Sequence, residues 1–299
     1  MTELDLEWRI RVAEAVDVPA MVRLWNRSCR FDPLTPALLR EKIWEDIAGA
    51  LVVEAGKRIV GFVVYVARER SGFLKMLAVD HEYRRRGIAE RLLRNAEKVL
   101  RTRGCSRIRL GESAPNYLVP GLDERYEEAL AFFEALGFKR FGLIHDMVAP
   151  LEGLESRQDP DAEAELAAAG IELTRATLKH RNEVIRFLSE WWPVWVAEVS
   201  RAFAADPISL HLALKDDHVV GFAAYNCNNR DQGWFGPMAT HPDNRSLGIG
   251  KLLLWRCLRD LRAAGWQRTV IPWVGPERFY RRFAGAEIHR TFLRLEKVF

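Results

Sequence analysis

Apolar positions in this chain follow two periods, and the change from one to the other occurs twice in the same order. Lys75 to Val79 (KMLAV) and Trp234 to Thr240 (WFGPMAT) have the bulk and length of buried strands. Each runs through a glycine-bearing turn into a helical pattern. In the first helix Ile88, Leu92, Leu93, Ala96 and Leu100 fall on one side, and in the second Ile249, Leu253, Cys257 and Leu261 recur four apart.

The flanking segments also match. Ahead of the first central strand, the pattern predicts a strand at Arg9 to Ala13, a helix at Val18 to Ser28 with Asp17 as its N-cap, and a helix at Pro36 to Asp46. A hairpin of Leu51 to Glu54 and Ile59 to Ala67 turns at Gly56-Lys57. After the long helix come a strand at Arg107 to Leu110, a helix near Asp123 to Leu136 that stops at Gly137, and a strand at Phe141 to Val148. The second half predicts a strand at Ile171 to Arg175, helices at Lys179 to Trp192 and on through Ala204, and a hairpin turning at Asp216-Asp217. A strand at Arg268 to Ile271, a helix near Glu277 to Phe283 and a strand at Ile288 to Leu295 complete it. Gly87 and Gly248, Gly104 and Gly265, and Ile10 and Ile171 are each 161 residues apart. A repeat of half the chain length means two copies of one fold. Residues 150–170 lose apolar periodicity and gain charge, Pro and Ala, so the expected division is 1–149, a linker at 150–170, and 171–299.

The glycine turns carry the candidate chemistry. They read Arg84-Arg85-Arg86-Gly87-Ile88-Ala89 and Arg245-Ser246-Leu247-Gly248-Ile249-Gly250. At a strand-to-helix turn the first helical N–H groups point outward, and the macrodipole adds roughly half a positive charge. Glycine removes the side chain that would hold an anion off. Such a turn is a cradle for a pyrophosphate, with arginine beside it.

Composition narrows the remaining classes. The chain has 299 residues, 48% apolar and 29% charged, which suits about two domains that each bury a core. No apolar run approaches the roughly 18 residues of a membrane span. The opening MTELDLEWRIRV lacks the basic-then-apolar order of a secretory signal, so a cytoplasmic location is expected. Cys29, Cys105, Cys227 and Cys257 show neither a disulfide framework nor zinc spacing, and no metal is expected. The net charge of +4 comes with basic residues gathered at the turns and with no nucleic-acid motif.

The pattern R-x-x-G-x-G/A between strand and long helix, present twice in register, resembles the acetyl-CoA-binding signature of the GNAT superfamily of N-acyltransferases. Neither turn has the spacing of a P-loop or of G-x-G-x-x-G. The resemblance covers nearly the whole chain. It implies an α/β (α+β) class with two tandem GNAT domains, each a splayed, mixed, mostly antiparallel sheet flanked by helices. It implies acetyl-CoA as co-substrate, its phosphates on both hexapeptides. Backbone groups of the central strand, at Leu77 and Val79 and at Met238 and Thr240, would meet the thioester and pantetheine arm. Family members often carry a tyrosine on the last helix that donates to the leaving sulfur. Tyr280, five residues before Gly285, matches this in the second half; the first half has Phe133 there, with Tyr126 two turns back. The second half is therefore the favoured catalyst.

Other positions stay open. Glu112, Glu198 and Asp231 are candidate bases, and His211 and His241 are weighed against plain structural roles. The first half has 13 more residues between its cradle glycine and the glycine ending its last helix, lying around Gly111 to Tyr126, as a substrate loop or a longer connection. Seven of ten tryptophans lie in the second half, with Trp191, Trp192 and Trp195 clustered and Trp234 and Trp273 beside strands. Flat rings suit sugars or cations and equally suit packing between the units. The expected reaction is acetylation of a small-molecule primary amine, an amino sugar or its like. Acetylation of a protein N-terminus and a non-catalytic acetyl-CoA sensor are the alternatives.

Overall fold

A computed structural model describes residues 8–154 and 160–299. The acidic residues 1–7 and residues 155–159 of the expected linker lie outside the described residues. Among the described residues, no helix is long and apolar enough to cross a membrane.

Among the described residues two compact units form, one of residues 8–143 with 292–299 and one within residues 144–291. In unit 1, β1 (Trp8–Val12), α1 (Val18–Ser28) and α2 (Pro36–Ile43) precede β2 (Gly49–Ala55), β3 (Arg58–Arg68) and β4 (Ser71–Val79). Then follow α3 (Ile88–Thr102), β5 (Arg107–Leu110), β6 (Leu122–Asp123), α4 (Glu127–Ala135) and the start of β7 (Lys139–Pro150). β1 to β4 pair antiparallel in order, and β4 pairs parallel with β5. Unit 2 opens with the end of β7 and α5 (Pro160–Ala168), then β8 (Ile171–Arg175), α6 (Arg181–Trp191) and α7 (Val196–Ser200). It continues through β9 (Leu210–Lys215), β10 (His218–Tyr225), β11 (Phe235–Thr240), α8 (Ile249–Ala263), β12 (Arg268–Ile271) and α9 (Glu277–Ala284), and β13 (Glu287–Val298) returns to unit 1. Its main sheet runs β11-β10-β9-β8, all antiparallel.

The units do not break at 149 and 171, because the last strand of each half pairs with the other half. Residues 147–150 of β7 pair with β12 inside unit 2, and residues 296–298 of β13 pair with β5 inside unit 1. Pro150 is accordingly strand, and Leu151 and Leu154, in the expected linker, are buried in the unit 2 core.

Both faces of each sheet are covered, which is why the strands read as nearly continuous apolar runs. Val53 and Val63 pack under α3, while their neighbours Val52 and Phe62 pack under α1 and α2. Unit 2 repeats this, with Ala213 and Ala223 facing α8 and Leu212 and Phe222 facing α6 and α7. Helix ends depart from the predicted ones where tertiary pairing intervenes. α4 begins at Glu127 rather than Asp123, because Leu122 and Asp123 pair with Leu293 and Phe292. Asp17 caps no α1 amide with its side chain. Its carboxylate instead accepts from Arg11 (2.7 and 2.8 Å) and from the Glu14 N–H (2.8 Å), and these partners, Arg11 first, hold its pKa below the usual carboxylate range.

Gly61 and Gly221 explain how each long helix comes to start where it does. A Cβ at Gly61 would lie 3.2 Å from Ile88 Cγ2, and one at Gly221 would lie 3.0 Å from Ile249 Cγ2. The first turn of each helix therefore rests directly on the strand, beside the end of the central strand.

Candidate active site

The two glycine turns adopt one backbone path. Each follows a short 3-10 turn, His81–Tyr83 or Pro242–Asn244, capped by the side chain of Asp80 or His241. Arg84 and Arg245 are then extended, with φ/ψ of −66°/162° and −68°/160°. Arg85 and Ser246 turn left-handed at φ 62° and 70°, and Gly87 and Gly248 do so at 75° and 84°. Left-handed residues within such a turn aim successive N–H groups into one concavity, a nest for an anion. The first α-helical bonds are Arg91 N–H to Gly87 O (2.9 Å) and Leu252 N–H to Gly248 O (3.3 Å). The amides of Ile88, Ala89 and Glu90, and of Ile249 and Gly250, precede them and have no intrahelical partner. A Cβ at Gly87 or Gly248 meets no atom within 4 Å, so the space in front of each nest is open. These residues fit a diphosphate. Arg84 and Arg245 brace the turns from behind, their Nε donating to Val79 O and Thr240 O at 3.4 Å, while Arg85, Arg86, Ser246 and Leu247 are exposed.

Beside each nest the central strand loses its neighbour. The parallel β4–β5 ladder ends at Leu74–Leu110, where Leu74 O accepts from the Gly111 N–H at 2.9 Å. The register with β3 then jumps from Tyr65–Leu74 to Val64–Met76, leaving Lys75 as an extra residue. A bulge of this kind reverses which residues face the partner strand. The Asp80 N–H donates to Val60 O on the β3 side at 2.9 Å, so by alternation the Leu77 and Val79 amides face away from β3, along the edge that β5 has left. Unit 2 repeats the device. Its register breaks between Ala223–Met238 and Tyr225–Phe235, and the His241 N–H donates to Val220 O at 2.8 Å. The Met238 and Thr240 amides are thereby turned outward, while β12 meets this edge lower down, at the Trp234–Val270 bridge.

A duplicated anion nest, each beside a bulged strand with free outward amides, is accompanied by a match to the acetyltransferase (GNAT) family model over residues 19–138 and 176–285. The chain belongs to the GNAT family. It is a tandem GNAT acyltransferase, and family members generally use acetyl-CoA. Solved structures agree at the level of fold. A glucosamine N-acetyltransferase region of a fungal multi-domain GH3 β-N-acetylglucosaminidase superposes with TM-score 0.83 at 19% identity, covering 98% of this chain and 38% of that one. The GNAT chain thus spans well under half the length of that relative. A GCN5-related N-acetyltransferase from Sphaerobacter thermophilus gives TM-score 0.71 at 19% identity, covering 97% of this chain and 95% of that one. A tandem GNAT protein from the clavulanic acid biosynthesis pathway gives 0.70 at 16% identity, covering 98% of each chain.

The two GNAT units differ in the groups around their nests. In unit 2, Tyr280 on α9 is 7% exposed, and its ring packs edge-on against Phe235 at the base of β11 (centroids 6.1 Å apart). Among the described residues nothing hydrogen-bonds its hydroxyl, and burial pushes its pKa well above the ordinary phenol value, so it carries its proton at neutral pH. In unit 1, Phe133 is buried among Phe132 and Phe138. Tyr126 is occupied: its hydroxyl donates to Asp32 Oδ2 and accepts from the Phe31 N–H, both at 2.9 Å. The extra residues of unit 1 are tied down as well. Asn116 Nδ2 donates to Glu41 O at 2.7 Å, and the buried Lys42 Nζ donates to Asn116 Oδ1 at 2.8 Å. Lys75 Nζ donates to Lys42 O (2.7 Å) and Asp46 (2.6 Å), so the bulge residue, α2 and this loop form one buried polar network.

The base candidates separate by environment. Glu112 is buried and bridges Arg109 (3.1 Å) and Arg294 (2.7 Å), a structural linchpin of β5 and β13. Glu198 is buried in α7, and Asp231 is exposed in a turn at φ 60°. His211 Nε2 lies 2.6 Å from Asp260 Oδ2 under α8, away from the nest turn. Trp192 and Trp195 stack (6.0 Å, 22°) over the core residue Phe222. Trp191 is 39% exposed, with its ring edge-on to His241 at 4.4 Å, one residue past Thr240. Two residues escaped sequence reasoning. His145 O accepts from the Val274 N–H and Asp146 Oδ1 from the Trp273 N–H, both at 2.9 Å, fixing the segment that leads into α9. They come from β7, more than a hundred residues away in the chain, so no local signal marks them.

Proposed function

We propose that this GNAT protein transfers the acetyl group of acetyl-CoA to the primary amine of a small molecule, an amino sugar or its like, and that unit 2 carries the chemistry. The observation behind this reading is Tyr280: a buried residue whose protonated hydroxyl has no partner among the described residues, near the base of the bulged strand, where unit 1 has only Phe133 and the occupied Tyr126. The co-substrate supplies an activated thioester. The Gly248 nest and the amides of Ile249 and Gly250 hold its diphosphate, with unit 1 offering Gly87, Ile88 and Ala89 as an equivalent nest. Met238 and Thr240 orient the arm and give an N–H to the carbonyl oxygen, where charge develops as the amine attacks. As the C–S bond breaks, the Tyr280 hydroxyl delivers its proton to the departing sulfur, and the proton shed by the attacking nitrogen passes to solvent, from which the phenol is restored. Trp191 supports the acceptor class, since an exposed flat ring beside the nest suits the apolar face of a sugar.

Thiol release measured across glucosamine, simple amines and amino-terminal peptides tests this reading. Turnover concentrated on amino sugars, and slowed by Tyr280→Phe, is expected. Turnover on peptides alone would replace the acceptor class, and turnover indifferent to Tyr280→Phe would remove the proton donor.

A further inference from the structure

The internal repeat makes each unit a control for the other, and one position behind the long helix differs in kind. In unit 2, the cleft between the later turns of α8 and the β8–β10 strands is closed by charge. His211 Nε2 is 2.6 Å from Asp260 Oδ2, Arg175 donates to Asp260 Oδ1 at 2.7 Å, and the same guanidinium reaches the Tyr225 hydroxyl at 3.3 Å. On the rim Arg256 pairs with Glu163 of α5 at 3.1 Å.

The corresponding positions in unit 1 hold an open cavity of about 400 Å³. Leu51 pairs with Val63 as His211 pairs with Ala223, Tyr65 stands 160 residues before Tyr225, and Val99 stands 161 before Asp260. The Asp260 carboxylate and the His211 imidazole of unit 2 are therefore missing here, but the tyrosine is kept and cations are present. Leu51 and Val99 give the cavity an apolar wall, and Lys98 and Arg103 line it. Among the described residues neither cation has an ion-pair or hydrogen-bond partner. Tyr65 is 5% exposed and lines the same cavity, and its hydroxyl likewise has no partner among the described residues. A hydroxyl held by a mostly buried ring, with no protein partner among the described residues, is a fixed donor for a ligand acceptor.

We propose that this cavity in unit 1 binds a small monocarboxylate with a compact apolar body. The carboxylate takes the place that Asp260 fills in unit 2, accepting from Tyr65 and facing Lys98 and Arg103, and the body lies against Leu51 and Val99. The site is distinct from the nest at the other end of α3.

The test is calorimetric titration of the full chain with benzoate, and with benzyl alcohol as its uncharged counterpart. Benzoate binding with Kd on the order of 1 mM and at least tenfold weaker binding of benzyl alcohol are expected. Exchanging the cations (Lys98→Glu with Arg103→Glu, both exposed) and inserting the unit 2 carboxylate (Val99→Asp) each weaken benzoate more than about tenfold, and Tyr65→Phe does so about fivefold to tenfold. Circular dichroism melts confirm that the variants fold, and the exposed charge exchange alone suffices if Val99→Asp does not. Absence of saturable benzoate binding overturns the proposal. So does binding that survives the charge exchange, or binding abolished by acetyl-CoA and untouched by these variants, which would locate the anion in a nest.

Discussion

Replacing Gly248 by asparagine separates what its backbone needs from what its missing side chain allows. Gly248 sits at φ 84°, where an ordinary L-residue costs about 1–2 kcal/mol, and asparagine less because it tolerates left-handed backbone. No atom lies within 4 Å of the Cβ position, so the new side chain meets no protein as it leaves the turn. Folding should therefore change little, with Tm falling by no more than about 2–4 °C per kcal/mol lost. Binding should suffer far more. If the side chain denies the diphosphate two amide hydrogen bonds of about 1.5–3 kcal/mol each, affinity for acetyl-CoA falls on the order of a hundredfold or more. Calorimetric titration of wild type, Gly248→Asn and the matched Gly87→Asn counts the sites and assigns them. Wild-type affinity and stoichiometry in both variants would refute the assignment of the nests to the co-substrate.

Tyr280→Phe should lower kcat about 10²-fold or more while Tm barely moves, because the lost hydroxyl has no partner among the described residues. Tyr126→Phe should do the reverse: kcat holds, but stability in urea falls by about 1–2 kcal/mol as the Phe31 N–H and Asp32 lose their shared partner. Glu183 of α6 accepts from Arg186 in the same helix (2.9 Å) and, across to β10, from the Val219 N–H (3.2 Å), and these contacts lower its pKa from 4.5 to about 2. A depressed carboxylate pKa adds stability above the unfolded value and loses it as pH falls through the folded one. The deficit of Glu183→Gln in urea melts should accordingly be full at pH 7 and shrink steadily between pH 4.5 and about 2. A deficit that stays constant over that range would contradict the linkage. Glu112→Ala should cost about 2–4 kcal/mol by leaving Arg109 and Arg294 without their shared carboxylate, and acetyl transfer at a temperature where it is folded should persist.

Much of the fold was legible in one dimension because its signals are local. The apolar face of α3, Ile88, Leu92, Leu93, Ala96 and Leu100, is buried as the periodicity predicts, and Gly87 and Gly248 cap their helices in left-handed conformation. The turn at Asp216-Asp217 and the extent of α1 were equally readable. The nest itself was half visible. Glycine announces its positive φ, but nothing in the identity of Arg85 or Ser246 announces theirs. The bulges at Lys75 and before Met238 were not visible either, and they decide that Leu77, Val79, Met238 and Thr240 turn their amides outward.

The amino-acid order by itself thus determined the duplication, the element sequence and the two glycine turns, since each depends on spacing within a few residues or on a repeat that can be counted. Tertiary structure decided which strand completes which unit, which tyrosine hydroxyl is free, and which carboxylates are already bound. Those outcomes rest on pairings such as Tyr126 with Asp32, Glu112 with Arg294 and Asp146 with Trp273, made between residues 94 to 182 apart. Only the fold brings such residues within hydrogen-bond reach, and chain spacing carries no record of it.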